Sequence, residues 1–339
     1  MKIAVLGAGA IGALAGGYLK LKNHDVVLIA RKPSVEKIKK NNLLISGIRG
    51  NFNIAVPAAE KLTFQPECVI LAVKTQDVET VVRENISYLR NVPILTVQNG
   101  VRSDFIVARF LPGETIISSI VMFGATYLNP GEITHNFEGN WIMGSMSGFP
   151  AGSLKQIRDV FNDVFPVIIT DNIQGMKYLK IFVNANNCLP AILGMSMQEA
   201  FADKDVSAIS IAIWKEGMKV LQKAGLQLVS LPDFPLERIT GLISIPLPEA
   251  AGIFSGIMVS LSKEPLYGSI LQSIKRGKPS EIDYINGEFI ALAREHNNDA
   301  PLNQKLVHMV HEVERTGKFF SRRDLLSAVK NEVAVCLNT

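Results

Sequence analysis

The stretch from Met1 to Arg31 constrains the chain more than any other. Lys2 to Leu6 reads as a short β-strand with apolar Ile3, Val5 and Leu6. Gly7-Ala8-Gly9-Ala10-Ile11-Gly12 follows and fits the G-x-G-x-x-G pattern. An apolar helix and a second strand, Val26 to Ile29, complete the unit, and Arg31 stands just past its end. In that setting the pattern marks a dinucleotide site. Gly7 permits the tight turn, Gly9 lets the backbone approach a pyrophosphate, and Gly12 allows close helix–strand packing. The backbone from Gly7 through Ala8, Gly9, Ala10 and Ile11 to Gly12 is therefore the candidate cofactor cradle, with the pyrophosphate on the helix N-terminus. A glycine-rich turn that binds nothing can share the pattern, but here a strand precedes it and a helix and strand follow.

The residue after the second strand selects the nucleotide. An acidic residue there would hydrogen-bond a ribose 2′-OH, whereas Arg31, followed by Lys32, suits a 2′-phosphate. The reading is NADP rather than NAD, against the alternative of an ordinary solvated basic pair.

The chain has 339 residues, 47% of them apolar, enough for a large core, and the length favours two domains. The formal net charge of +4 comes without a long Lys/Arg run, which argues against a nucleic-acid partner and suits small anionic ligands. Cys68, Cys188 and Cys336 are scattered and odd in number. They suggest neither a disulfide framework nor a zinc site, and a cytoplasmic, reducing setting is expected. The first apolar segment belongs to the Gly-rich unit, so it is not read as a secretory signal. No unbroken apolar run of about twenty residues predicts a membrane span.

Past Arg31, Ser34 to Lys40 reads as a short helix and Leu43 to Ala55 as one or two strands. Val69 to Val73 and Ile94 to Val97 are apolar runs of the kind that form buried parallel strands. Strand–helix alternation predicts a doubly wound parallel sheet, whose ligands lie beyond the carboxyl ends of the strands. Lys74 and Asn99 occupy such ends and are candidates to line the crevice. A surface lysine and a plain Asn-Gly turn are the competing readings. Thr115 to Ala125 and Trp141 to Gly144 read as further strands, connected through Asn129-Pro130-Gly131. Ser153 reads as the N-cap of a helix, and Val167 to Thr170 as the last strand.

Strand-like runs end near Asp171, and helical segments take over. The expected architecture is an α/β Rossmann-type doubly wound domain over residues 1–171 and an all-α domain over 172–339. Within Lys177 to Met197, an otherwise apolar run holds Lys180, Asn184, Asn186, Asn187 and Cys188. On one helix, Lys180, Asn184 and Asn187 fall within roughly 60° of one another. A lysine and two amides on such a face are costly when buried without partners. Either Lys180 snorkels and the asparagines cap loops, or the lysine is a general acid that protonates a ketone oxygen while the amides orient the substrate. Pro190 is expected to kink or end the helix nearby. Asp205 to Ala224 reads as a core helix capped by Gly225, and Leu231 to Pro248 as loop or short helix. Ser280 or Pro279 is expected to start a helix with Glu281 in its first turn. Another helix runs from Pro301 to its stop at Gly317, and Ser321 to Thr339 reads as the last. His308 and His311 read as helix-surface histidines, since no further ligand pattern accompanies them and no metal is expected.

Taken together, Gly7 to Gly12, Arg31, Val73-Lys74, Asn99-Gly100, the Lys180-x-x-x-Asn184 helix, Ser269 and above all Ser280-Glu281-Ile282-Asp283-Tyr284-Ile285-Asn286-Gly287 resemble the ketopantoate reductase family. The resemblance runs over nearly the whole chain. It implies a Rossmann domain, a helical domain and a site in the cleft between them, with NADPH reducing the ketone of 2-dehydropantoate to pantoate. It further implies Lys180 as general acid and Glu281 holding Lys180 or the substrate hydroxyl. Asn184 and Ser269 would bind substrate, Asn99 and Lys74 would sit by the nicotinamide and substrate, and Arg31 would bind the 2′-phosphate. The chain departs from the family at Tyr178, where a tryptophan is usual, and at Cys188 and Gln198, where asparagines are. By helix angle, Asn187 stands in for the asparagine missing at Cys188. The expected partner is a small anionic 2-keto acid, with a homodimer left open. Two other readings remain: a related reductase of another 2-keto, 2-hydroxy or opine-like acid, and a non-catalytic NADP sensor.

Overall fold

A computed structural model describes residues 1–337. It divides into two compact units, Met1–Gln174 and Gly175–Thr339.

The first unit runs β1 (Lys2–Leu6), α1 (Ala10–Leu21), β2 (Asp25–Ile29), α2 (Lys32–Asn41), β3 (Leu43–Gly47), β4 (Phe52–Ile54), β5 (Ala58–Ala59), β6 (Cys68–Leu71) and α3 (Thr75–Leu89). It continues with β7 (Ile94–Thr96), α4 (Arg102–Ala108), β8 (Ile116–Val121), β9 (Gly124–Asn129), β10 (Glu132–Phe137), β11 (Trp141–Gly144), α5 (Ala151–Asn162) and β12 (Val167–Ile169). The main sheet has the order β12-β11-β8-β7-β6-β1-β2-β5 and is parallel except between β8 and β11. The expected doubly wound Rossmann arrangement is present. Burial explains why these runs read as solid rather than alternating. Ile3 and Val5 of β1 pack in one core cluster with Cys68 and Ile70, while Ala4 and Leu6 pack in a second with Val69 and Leu71. Helices cover both faces, so neither face can be polar.

The strand order reverses between β1 and β6. The Gly-rich turn leaves the carboxyl end of β1, and Ala72-Val73-Lys74 leaves that of β6. Both therefore lie at the switch point where doubly wound sheets bind ligands.

Three expectations need correction here. Thr115 to Ala125 is not one strand: β8 ends at Val121, and β9 belongs to a second sheet of order β4-β3-β10-β9. The Pro130-Gly131 turn joins β9 to β10, not to the Trp141 strand, and Gly131 has φ +74°. Ser153 does not cap its helix, which starts at Ala151 behind Pro150, whose φ of −60° already suits the entry. The second sheet is tied to α1 by one buried bond, Tyr18 Oη to His135 Nδ1 at 3.0 Å.

The second unit is helical: α6 (Ile173–Ala185), α7 (Cys188–Leu193), α8 (Met197–Phe201), α9 (Lys204–Lys223), α10 (Glu237–Ile243), α11 (Leu247–Val259), α12 (Ser269–Lys275), α13 (Asn286–Glu295), α14 (Pro301–Thr316) and α15 (Arg322–Leu337). Asp203 caps α9 by accepting from the Asp205 and Val206 N–H groups, and Gly225 follows that helix at φ +68°. Helix α9 packs against α11, α13, α14 and α15 and forms the spine of the unit. Leu231 to Pro248 holds more helix than its prolines suggest. It contains α10 and the start of α11, where Pro248 sits in the first turn and its missing N–H costs nothing. Of the expected tail helix, Asn338 and Thr339 lie outside the described residues, as do the side chains of Cys336 and Leu337. No helix among the described residues is long and apolar enough to cross a membrane.

Candidate active site

The glycines of the first turn have three different surroundings. Gly7 has φ +106°, and a Cβ there would lie 2.7 Å from the Val73 backbone nitrogen. The turn after β1 is thus pressed against the turn after β6, and only glycine fits. A Cβ on Gly12 would lie 2.1 Å from the Gly7 carbonyl oxygen and 2.8 Å from Ala72 Cβ. A Cβ on Gly9 would meet nothing within 4 Å. Gly9 is also the N-cap of α1, and no side chain caps that helix. One glycine makes the turn, one brings helix and strand together, and one leaves its surface open at a helix N-terminus, where an anion is stabilised by unpaired N–H groups. Ala8, Ala10 and Ile11 complete this stretch, with Ala8 buried and its two companions partly exposed. The residues present fit a dinucleotide pyrophosphate. Gly12→Ala should cost about 1–3 kcal/mol of stability through overpacking. It should also weaken dinucleotide binding roughly tenfold or more, because the turn must move to relieve the overlap. A fluorescence titration and a thermal melt check both.

Arg31 is the N-cap residue of α2. Its side chain is 83% exposed and pairs with Asp77 of α3 at 3.3 Å. Lys32 pairs with Glu36 one turn on, at 3.8 Å. The guanidinium therefore has one carboxylate partner at the surface and donors in a fixed fork.

Lys74 occupies the N-cap of α3, with φ −64° and ψ 154°. Small oxygen-bearing side chains are favoured at that position, and a cation is disfavoured by the positive end of the helix dipole. A lysine there breaks a local rule. Gln98, passed over in the sequence, orders the turn that carries it. Its Nε2 donates to the Leu71 carbonyl at 2.7 Å and to the Val73 carbonyl at 2.8 Å. Asn99 lies in the turn past β7, which ends at Thr96, and is half-buried, with Gly100 beyond it at φ +81°.

In the second unit, Lys180 and Asn184 share α6, one turn apart. Asn187 does not. Helix α6 ends at Ala185, five residues before Pro190, and Asn187 is the N-cap residue of α7. Pro190 lies in the first turn of α7, where proline is tolerated, so it is not the helix breaker. Asn187 stays near Asn184 by another route: its N–H donates to the Asn184 carbonyl at 3.0 Å. It also lies against Gly268, the N-cap of α12, where a Cβ would sit 3.1 Å from the Asn187 side chain. Ser269 is the next residue and is exposed. The structure therefore brings Asn184, Asn187 and the start of α12 together. Cys188 is fully buried, and its sulfur accepts from Asn286 Nδ2 at 3.8 Å. Burial drives its thiol pKa far up. It packs in the core of the helical unit.

Lys180 keeps some solvent exposure, yet its ammonium pKa is pushed down to about 8. Burial is the largest cause, the like charge of Lys177 adds to it, and Glu281 opposes both. Lys177 is 2% exposed and was not singled out from the sequence. Its i, i+3 spacing to Lys180 was the available signal. Glu281 is not in a helical first turn. It precedes a single 3-10 turn, Ile282–Tyr284, and the helix proper begins at Asn286. What matters for chemistry is that its charge acts on Lys180. A lysine with a pKa of about 8, acted on by a cation and a carboxylate, can give up a proton and recover it.

Residues 3–148 match the model for ketopantoate reductase PanE/ApbA, and residues 172–314 match the model for its C-terminal domain. The chain belongs to the ketopantoate reductase family. The 2-dehydropantoate 2-reductase of Pyrococcus horikoshii is 31% identical over 324 residues, 94% of this chain and 99% of that one. A solved ternary structure of D-mandelate dehydrogenase with NADH and anilino(oxo)acetate is similar with TM-score 0.81 at 24% identity, over 93% of this chain and 99% of that one. The ketopantoate reductase of Ralstonia eutropha is similar with TM-score 0.78 at 23% identity, over the same shares. The resemblance read from the motifs holds, and with it the family's oxidoreductase character and fold.

Proposed function

We propose that the protein reduces 2-dehydropantoate to pantoate with NADPH. A reduced nicotinamide supplies the hydride. The chain supplies the rest. The turn from Gly7 to Gly12 takes the pyrophosphate, and Arg31 takes the 2′-phosphate. Lys74 and Asn99 lie at strand ends suited to the nicotinamide and the substrate. Lys180 gives its proton to the ketone oxygen as the carbon becomes tetrahedral, so that the product leaves as an alcohol. Glu281 stabilises the ammonium and so keeps enough of it protonated at neutral pH. Asn184, Asn187 and Ser269 hydrogen-bond the substrate's carboxylate and hydroxyl.

The observation that carries this reading is the placement of Lys180 and Asn184 one turn apart on α6 in a chain of this family, and burial lowers the lysine pKa to about 8 in support. A sensor that only binds NADP would need neither the tuned lysine nor its carboxylate. NADPH is preferred to NADH because Arg31 and Lys32 stand where an acidic residue would select NADH.

A second reading is favoured by one feature, the buried Cys188. It removes an amide from the substrate side, so another small 2-keto or opine-like acid is the alternative to 2-dehydropantoate. Loss of nicotinamide absorbance, followed with 2-dehydropantoate and a panel of 2-keto acids, separates the readings. Turnover of 2-dehydropantoate supports the first and turnover of another acid alone the second. Tight NADPH binding with no turnover would mean a sensor.

A further inference from the structure

The turn that carries Glu281 is fastened to α14 on both sides of that residue. Before it, the Ser280 N–H donates to Glu314 Oε1 at 2.7 Å. After it, Asp283 Oδ1 lies 3.0 Å from His311 Nε2. The loop is closed by His311 itself, whose Nδ1 lies 2.9 Å from Glu314 Oε2. One imidazole therefore bridges two carboxylates, and those carboxylates hold the residues flanking Glu281.

Ionised carboxylates only accept hydrogen bonds, so both ring nitrogens of His311 must donate. That is possible only for the imidazolium. Burial works against the cation, but the bonds from Glu314 and Asp283 outweigh it and raise the His311 pKa above its ordinary value. Asp283 from the turn and Glu314 from α14 are the ionisable groups that act on it. Glu314 is held below the usual carboxylate range: burial opposes this, and its bonds from Ser280 and His311 prevail. The pair is half-exposed, with side-chain exposures of 45% for His311 and 50% for Asp283, so it adds little to stability. What it supplies is a fixed geometry.

We propose that His311 is a positioning residue for Glu281: as an imidazolium it closes the Ser280–Glu314–His311–Asp283 ring and fixes the carboxylate that acts on Lys180. This rests on the reading of Lys180 as proton donor. The sign of the pH effect follows from the raised pKa. The ring is intact below the His311 pKa. As pH rises through it, the neutral imidazole retains one N–H, one bond is lost, and one carboxylate is left facing a lone pair.

The test compares the full-length wild type with His311→Ala, His311→Arg and Asp283→Asn. Two readouts are taken: NADPH-dependent turnover, and the pKa of the Lys180 amine without ligand, from the pH dependence of its acylation followed by mass spectrometry. His311→Ala should lower kcat by about tenfold to a hundredfold, the scale of a small misplacement of a catalytic group. NADPH affinity should not change, and the Lys180 pKa should fall because the Glu281 charge no longer holds its place. Arginine, a permanent cation with a forked donor set, should restore most of kcat and remove the His311 ionisation from the pH profile. Asp283→Asn should lower the Lys180 pKa as His311→Ala does, which keeps the test open if one variant does not fold. Wild-type kcat and an unmoved Lys180 pKa in His311→Ala, with only the melting temperature lowered, would overturn the proposal. Should the wild type turn over no 2-keto acid, the reading of its function fails, while the Lys180 pKa in the variants still decides the role of His311.

Discussion

Lys180→Ala should lower kcat by about 10²–10⁴, the usual loss when a positioned acid is removed. The Kd for NADPH should stay within about twofold, since the cofactor cradle lies in the other unit and is not altered. The reason is specific to this lysine. Its ammonium is kept near pH 8 by burial and by Lys177, and Glu281 keeps it from falling further. Asn184, one turn along α6, cannot replace it, because it has no ionisable proton. Lys180→Arg should not rescue, since a guanidinium does not release a proton in this range. Stopped-flow and steady-state absorbance checks this, and a near-wild-type rate would remove Lys180 from the mechanism.

Arg31→Ala should raise KM for NADPH by about 10–100-fold while leaving NADH within about twofold. The magnitude is that of one or two charge-assisted bonds to a phosphate, roughly 1.5–3 kcal/mol. The residue is well placed to report cleanly. It is exposed, it caps no bond of α2 with its side chain, and its partner Asp77 is also at the surface. Its loss should therefore leave the melting temperature unchanged. An equal change for both nucleotides would contradict the assignment of the 2′-phosphate to Arg31.

Several features were legible in the sequence because they are local. The Gly7 to Gly12 turn is written in consecutive residues, and each glycine has the surroundings its position in the pattern demands. The parallel strands are continuous apolar runs because both faces of the sheet are covered, as the split of β1 between two clusters makes plain. The capped ends of α9 and α14 are marked by Gly225 and Gly317, both at φ +68°.

What was not legible depends on distant partners. The second sheet forms because β3 pairs in parallel with β10, a register that joins Leu44 to Glu132. No local pattern announces such a pairing, so the run from Thr115 to Ala125 reads as one strand although it takes in the first two residues of β9. The end of α6 at Ala185 was missed because Pro190 is the stronger local signal, while the break belongs to Asn186 and Asn187. Asn187 gains its place from Gly268, far along the chain. Acids favour first turns, so the sequence alone places Glu281 on a helix. The structure holds it instead before a single 3-10 turn, fastened to Glu314 and His311 on α14, which sequence spacing could not have joined to it.

The most direct test of the account is the pH dependence of kcat/KM for NADPH-driven reduction of 2-dehydropantoate by the wild type. This quantity reports ionisations of the enzyme before substrate binds. The account predicts a rate that falls as pH rises through about 8, where Lys180 loses its proton. A profile that stays flat well into the alkaline range would show that no amine of this kind donates the proton, and would contradict it.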